Sequence, residues 1–339
     1  MIRLPSLRRL CACLALAVAT PLAIAQSASS SSSSSSSSAG YPERPIRLLL
    51  GQAAGGAVDT IARMLAERLG ATLRQPVVVE NRPGAGAMIA AEAVARAPAD
   101  GYTLALLDEG ALTVNPVLQK KIAYDVLKDF SYLGTVARIP LVMVAHPSLN
   151  VATSDELTRY SKAHPSALSY ASAGVGSPPH LAFEAYKQQS GAIVAHLPYR
   201  GGAPALADVV AGHVHLTFID TNLGSQYAKT GRVKPIAVST RQRSPLLPAV
   251  PTFEEAGLKG FEFAPWVGVV GPAGLPAPVA ERIAQALQTV LADRDLLARV
   301  RGSGFEPFAS GSTAFAALIR QDLEARRTLI RERNIRLEN

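Results

Sequence analysis

Cysteine is almost absent from this chain. The only two, Cys11 and Cys13, lie near the start, so nothing beyond them can form a disulfide or a cysteine-ligated metal site. Tryptophan occurs once and aromatic residues make up 6% of the sequence. There is no nucleophile elbow, no phosphate-binding loop and no dinucleotide fingerprint, which removes the common signatures of hydrolases, NTPases and nicotinamide enzymes. Long apolar runs are also missing. The one uninterrupted candidate, Leu10 to Ile24, is too short for an ordinary membrane span.

That short run has a different meaning in context. It follows Arg3, Arg8 and Arg9 and ends in Ala23–Ile24–Ala25, so a charged segment, an apolar core and a small-x-small site stand in the order of a cleaved export signal. Cleavage is expected after Ala25. A retained anchor is the weaker reading. The apolar core follows Cys13 rather than preceding it, which argues against a lipid-modified cysteine. An unbroken serine tract runs from Ser29 to Ser38 and has nothing to bury, so residues 26–40 read as a disordered, solvated linker.

The formal charge is +8; three of those charges are Arg3, Arg8 and Arg9, leaving +5 beyond the signal. The densest basic stretch, Arg320 to Arg336, is interleaved with Asp322, Glu324 and Glu332 at helical spacing. A solvated helix face explains it better than nucleic-acid binding does.

From Tyr41 onward, about 300 residues alternate β-rich runs with helical stretches. Strands are expected at Ile46–Gly51, Val77–Glu80 and Tyr102–Leu107, with helices at Val58–Leu73 and Met88–Ala97. The plan repeats with strands at Leu168–Ala171, Ala192–Leu197, His215–Ile219 and Val233–Ser239 and helices at Pro179–Ser190 and Pro204–Ala211. Phe261–Gly271 then reads as a strand returning to the first unit, followed by helices over Pro278–Ala292, Asp295–Ser303 and Thr313–Asn334. The expected fold is α/β with two lobes, each a mostly parallel sheet flanked by helices, joined by two crossovers. The first lobe takes residues 41–140 plus 266–339, and the second takes 141–265. A two-crossover hinge is where ligands bind by lobe closure.

Four loops share one design: Ala53–Ala54–Gly55–Gly56, Pro83–Gly84–Ala85–Gly86, Ser172–Ala173–Gly174–Val175–Gly176–Ser177 and Arg200–Gly201–Gly202–Ala203. Each follows a strand and leads into a helix. Free first-turn amides and the helix dipole favour an anion there, and glycine lets the backbone approach it. A tight turn explains any one such loop, but four in two parallel units favour a carboxylate site. Ser177 is a natural N-cap and His180 a first-turn residue; capping and ligand contact fit them better than a nucleophile–base pair. Asp59, at the first helix start, either stabilises the dipole, orients the loop or receives a ligand amino group. Asp108 and Glu109 follow the third strand at a loop expected to face the cleft, where two acids would repel a bare dianion. Solvent exposure of both is the alternative.

In this order the sequence resembles the Bug-type receptors of tripartite tricarboxylate transporters through nearly the whole chain after the signal. The residues that carry the likeness are Tyr41–Arg47, Ala54–Gly56 with Asp59, Val79–Gly86, Asp100–Leu104, Gly176–Ser177, His180–Leu181, Pro198–Gly201, Pro251–Thr252, Glu255–Gly257 and Gly271–Gly274. The resemblance implies a type II periplasmic-binding-protein fold, a venus-flytrap receptor in the periplasm that holds carboxylates largely through backbone amides and bridging waters. It further implies ligand contacts from Ala53, Ala54, Gly55, Gly56 and Asp59 in one lobe. In the other it implies Ser172, Gly176, Ser177, His180, Gly201 and the loop after Asp220 beginning at Thr221. Known ligands of the family include dicarboxylates, tricarboxylates, acidic amino acids and small aromatic acids. Its partners are membrane permease subunits and in some cases a sensor kinase. No catalysis, cofactor, metal or nucleic acid is implied, and a monomer is expected. This chain departs from the family pattern at Gly51–Gln52, at Ala57–Val58, at Asp108–Glu109 and in lacking a tryptophan in the last helix, so ligand identity does not carry over. Asp108 or Glu109 is expected to select a ligand with a cationic group beside its carboxylate. Two alternatives stand beside transport: a sensory module without transport, and a hydrolase using Ser177 and His180.

Overall fold

A computed structural model describes residues 40–199 and 201–337. The export signal, nearly all of the serine-rich linker and Arg200 lie outside the described residues. The first lobe begins with β1 (Ile46–Leu50), α1 (Ala57–Leu73), β2 (Val77–Asn81), α2 (Met88–Ala95), β3 (Thr103–Asp108), α3 (Asn115–Leu118) and β4 (Phe130–Arg138). The chain then crosses into β5 (Leu141–Ala145), α4 (Ser154–Ala163), β6 (Ser169–Ser172), α5 (Pro178–Ser190), β7 (Ala195–Pro198), α6 (Gly202–Val210), β8 (Leu216–Asp220), α7 (Thr221–Lys229) and β9 (Lys234–Val238). It returns through β10 (Trp266–Pro272), α8 (Ala277–Leu291), α9 (Arg294–Gly302), β11 (Glu306–Ser310) and α10 (Ser312–Glu332).

The strands sort into two sheets, β11-β4-β10-β3-β1-β2 and β7-β6-β8-β5-β9. Strand β5 is buried along its whole length and β1 at every residue but Arg47, the continuous apolar pattern of strands covered on both faces. Strands β2, β1 and β3 are parallel, as are β7, β6 and β8. Most strands of each sheet run in one direction, as expected, but each sheet also takes in antiparallel members. Strand β10 runs antiparallel between β3 and β4, β11 runs antiparallel to β4, and β5 runs antiparallel between β8 and β9. The reason is topological: β5 and β10 are the first strands after each crossing, and they enter their sheets from the hinge side, opposite in direction to the β-α-β strands whose ends point there.

The crossings, residues 139–140 and 239–265, are tied to one another. The Ile139 N–H donates to the Pro265 carbonyl at 2.7 Å, and the Leu141 N–H donates to Ser239 Oγ at 3.1 Å. Expected strand Phe261–Gly271 begins only at Trp266, because its first half is this crossing. Strands β4, β5 and β11 and helices α3 and α4 have no counterpart among the expected elements. No described helix is long and apolar enough to cross a membrane.

Candidate functional site

The strand ends β1 and β3 and the helix-start loops of both lobes converge on a cleft of about 620 Å³. Its first-lobe wall is Gly51, Gln52, Ala85–Met88, Asp108, Gly110, Asn115 and Gln119, and its second-lobe wall is Ala173, Val175–Pro178 and Gly201. Of the expected ligand contacts, Asp108, Gly176, Ser177 and Gly201 therefore meet in one place. Asp108 is the single charged side chain among these lining residues, so an anion bound here is held by backbone dipoles and neutral polar groups.

Asp108 ends β3 half-buried. Its Oδ2 accepts Gln52 Nε2 at 2.6 Å and its Oδ1 accepts the Ala111 N–H at 3.1 Å. Burial pushes its carboxyl above the usual range despite these bonds. Gln52 Oε1 is buried and has no partner.

The adjoining turn is strained. Ala85, Gly86 and Ala87 have φ of 48°, 62° and 69°, three successive residues in the left-handed region, two of them not glycine. Such conformations cost on the order of 1–2 kcal/mol each for a residue with a Cβ. Asn115, nearly buried, holds the turn by donating from Nδ2 to the Gly86 carbonyl at 2.8 Å. A side chain at position 86 would meet that amide.

The second-lobe loop is held from behind. The Gly176 N–H donates to His180 Nδ1 at 2.9 Å, which places the proton of the neutral ring on Nε2. His180 stacks on His196 with ring centroids 4.1 Å apart, and His196 stacks on Tyr170 at 4.8 Å. Ser172, fully buried, contacts His196 Nε2 at 2.7 Å and bonds the Gly174 backbone. Burial lowers both histidines to about 4, with the neighbouring His180 adding to the effect on His196. Glu184 sits beneath this stack. Burial alone would raise its carboxyl, but Lys187, Tyr170 and Arg333 hold it below the usual carboxylate range.

Several sequence expectations are corrected. His180 and Ser172 do not line the cleft; they brace its loop. Ser177 stands at the N-cap of α5 but its hydroxyl makes no cap bond there; it donates to the Gly174 carbonyl at 2.6 Å, and it does not pair with His180. The N-terminus of α5 is also a poor donor, because Pro178 and Pro179 occupy its first two positions and lack N–H groups. Glu109 does not face the cleft. β3 ends at Asp108 and the backbone turns helical at Glu109, whose buried carboxylate lies 3.1 Å from Arg326 of α10. Thr221 is fully buried, its hydroxyl donating to the Gly304 carbonyl at 3.0 Å, and it is not at the cleft. Ala53, Ala54, Gly55 and Gly56 are exposed and are not among the cleft's lining residues. Asp59 is buried beside them and orients their loop. Its carboxylate accepts the Gly55 N–H, Asn81 Nδ2 and the Arg63 guanidinium at 2.9–3.0 Å, and Arg63 first and then these other donors hold it at about 2. The carboxylate at the start of α1 thus braces the loop that precedes it.

Gln52, Met88, Gly110, Asn115 and Gln119 were not expected at the site. Only Gln52 carried a sequence signal, as part of a departure from the family pattern.

Known proteins share this architecture. Residues 61–335 match the profile of the tripartite tricarboxylate transporter family receptor. The protein BugT of Bordetella pertussis is 32% identical over 299 residues, covering 88% of this chain and 92% of BugT. The solved periplasmic binding protein BugD is 34% identical with a TM-score of 0.77, covering 88% of this chain and all of that one. A Rhodopseudomonas palustris protein solved with adipate is 30% identical with a TM-score of 0.80, covering 87% of this chain and 99% of that one. With the family profile matched over most of the chain and relatives above 30% identity along nearly its full length, this protein belongs to the tripartite tricarboxylate transporter receptor family, the Bug-type periplasmic solute-binding proteins.

Proposed function

We propose that this chain captures a small carboxylate bearing an ammonium or other cationic group and delivers it to the membrane subunits of a tripartite transporter. An acidic amino acid or a pyridine carboxylate has the right chemistry. The observation that carries this reading is Asp108, the lone acidic side chain of a cleft otherwise walled by backbone and neutral side chains. A plain dicarboxylate brought against an ionised Asp108 meets like-charge repulsion in a partly dehydrated site. A ligand ammonium instead supplies the counter-charge that burial denies the carboxylate, while the ligand carboxylate takes backbone donors of the opposing loops. The family profile supports the carboxylate, and the relative solved with adipate shows that a close fold holds one. A hydrolytic role through Ser177 and His180 lacks its nucleophile–base bond.

Mass spectrometry of small molecules released from freshly purified, denatured protein names the solute directly. Calorimetry then tests the role of Asp108. Asp108→Asn is expected to weaken glutamate binding by about tenfold to a hundredfold, the worth of a charge-assisted bond, and to strengthen adipate binding. An Asp108→Asn protein that binds glutamate as tightly as the parent and adipate no better refutes the selection of a cation.

A further inference from the structure

Helix α10 belongs to the first lobe by packing and to the second by its far end. Phe315, Ile319 and Leu323 bury in the apolar cluster that includes Leu107, Trp266 and Val270 of the first sheet. Beyond them the helix carries Arg326 and, seven residues on, ends at its C-cap Arg333, about two turns away on the same side.

Each arginine holds a buried carboxylate behind one wall of the cleft. Arg326 Nη2 lies 3.1 Å from Glu109, and its guanidinium also covers the ring of Phe263, 5.1 Å away in the returning crossing. Glu109 directly follows Asp108, so anchoring it fixes the backbone that presents Asp108. Arg333 Nε donates to Glu184 Oε2 at 3.0 Å. Glu184 lies one turn after His180 on α5, accepts the Tyr170 hydroxyl at 2.8 Å and Lys187 Nζ at 2.6 Å, and so anchors the stack that braces the Ser172–Ser177 loop. A second tie at the same end, Gln188 Nε2 to Glu332 Oε2 at 2.6 Å, joins α5 to α10 again. Both carboxylates are nearly fully buried and neither arginine lines the cleft. Apolar packing alone is non-directional and tolerates sliding; an ion pair to a buried carboxylate at each of these two points constrains where the helix sits.

We propose that Arg326 and Arg333 are positioning residues for ligand capture, and that α10 is a strut between the backs of the two cleft walls that sets their spacing. The covalent hinge leaves the lobes free to separate; the strut limits how far. This rests on the cleft being the ligand site, but its test needs no ligand, so the two readings fail separately.

Residues 26–339 contain no cysteine, so a label pair can be placed without background. Glu281→Cys on α8 and Lys229→Cys on α7, both exposed, report the distance between lobes by pulsed electron–electron spin resonance. Arg333→Met leaves Glu184 its bonds to Tyr170 and Lys187, so the fold is expected to persist. The label distance in the free protein is expected to lengthen or broaden in Arg333→Met and to return towards the parent value in Arg333→Lys. Arg326→Met combined with Glu109→Gln, which strands no buried charge, is expected to broaden it as well. A distance distribution in Arg333→Met that superimposes on the parent's, with only the melting temperature lowered, overturns the proposal and leaves Arg333 a merely stabilising contact.

Discussion

Acidification from pH 7.5 to pH 5 is the most demanding test of the histidine stack, because its magnitude follows from the structure. His180 is buried and His196 half-buried, and burial pushes each down to about 4 from the usual 6.5. Their folded values are depressed, so between those two points the unfolded chain binds more protons than the folded one. Folding free energy is therefore intact above about pH 6.5 and is lost as the pH falls towards 4. At pH 5 the loss is about 2 kcal/mol for each ring and about 4 kcal/mol for the pair, against a total stability on the order of 5–15 kcal/mol. Geometry gives the loss a local meaning. A proton on His180 Nδ1 would face the Gly176 N–H that now donates to it, replacing a bond with two opposed donors. The groups around the pair do not rescue it: Glu184 favours the charged ring, Lys187 opposes it, and His180 disfavours charge on His196. The assay is thermal melting followed by circular dichroism at both pH values, for the parent and for His180→Asn with His196→Gln, which keep an acceptor near each ring nitrogen without a titratable group. The parent is expected to lose roughly 5–10 °C more than the double variant over that interval. Equal losses in the two proteins would show that the stack does not carry the acid sensitivity.

Asp59→Asn is expected to cost about 2 kcal/mol at neutral pH in urea unfolding, since the lowered carboxyl contributes stability above about pH 3.8 that disappears as the pH falls through 2; the two proteins should converge near pH 2. Gly176→Ala meets two obstacles, a φ of +79° and the side chain of Leu118 where the new methyl would go. Those add to about 2–4 kcal/mol in a melt, and because Gly176 lines the cleft, calorimetry with glutamate should show weakened binding beyond any effect on folding.

Much of the fold was legible because local physics wrote it. The alternation of apolar strands with Gly-rich loops and amphipathic helices marked β1 to β3 and β6 to β9 within a few residues. Strands β4 and β5 were missed although Phe130–Arg138 and Leu141–Ala145 are apolar-rich runs, because only Ile139 and Pro140 separate them and the crossing between lobes falls in those two residues. Antiparallel insertion of β10 could not be read locally, since strand direction depends on which edge of the sheet the chain reaches. The proline pair at the start of α5 was readable: two residues without N–H cannot supply anion donors, whatever the dipole.

By itself the sequence determined the receptor family, two α/β units, and the loops that would meet in a cleft, because glycines, caps and apolar periodicity act over a few residues each. Which polar side chains face that cleft depends on packing between elements far apart in the chain. Asp108 and Glu109 are adjacent and chemically alike, yet one lines the cleft and the other is claimed by Arg326, far along the chain. His180 and Thr221 were drawn behind the surface for the same reason. A buried polar group must find its partner, and that partner is set by packing between elements distant in sequence.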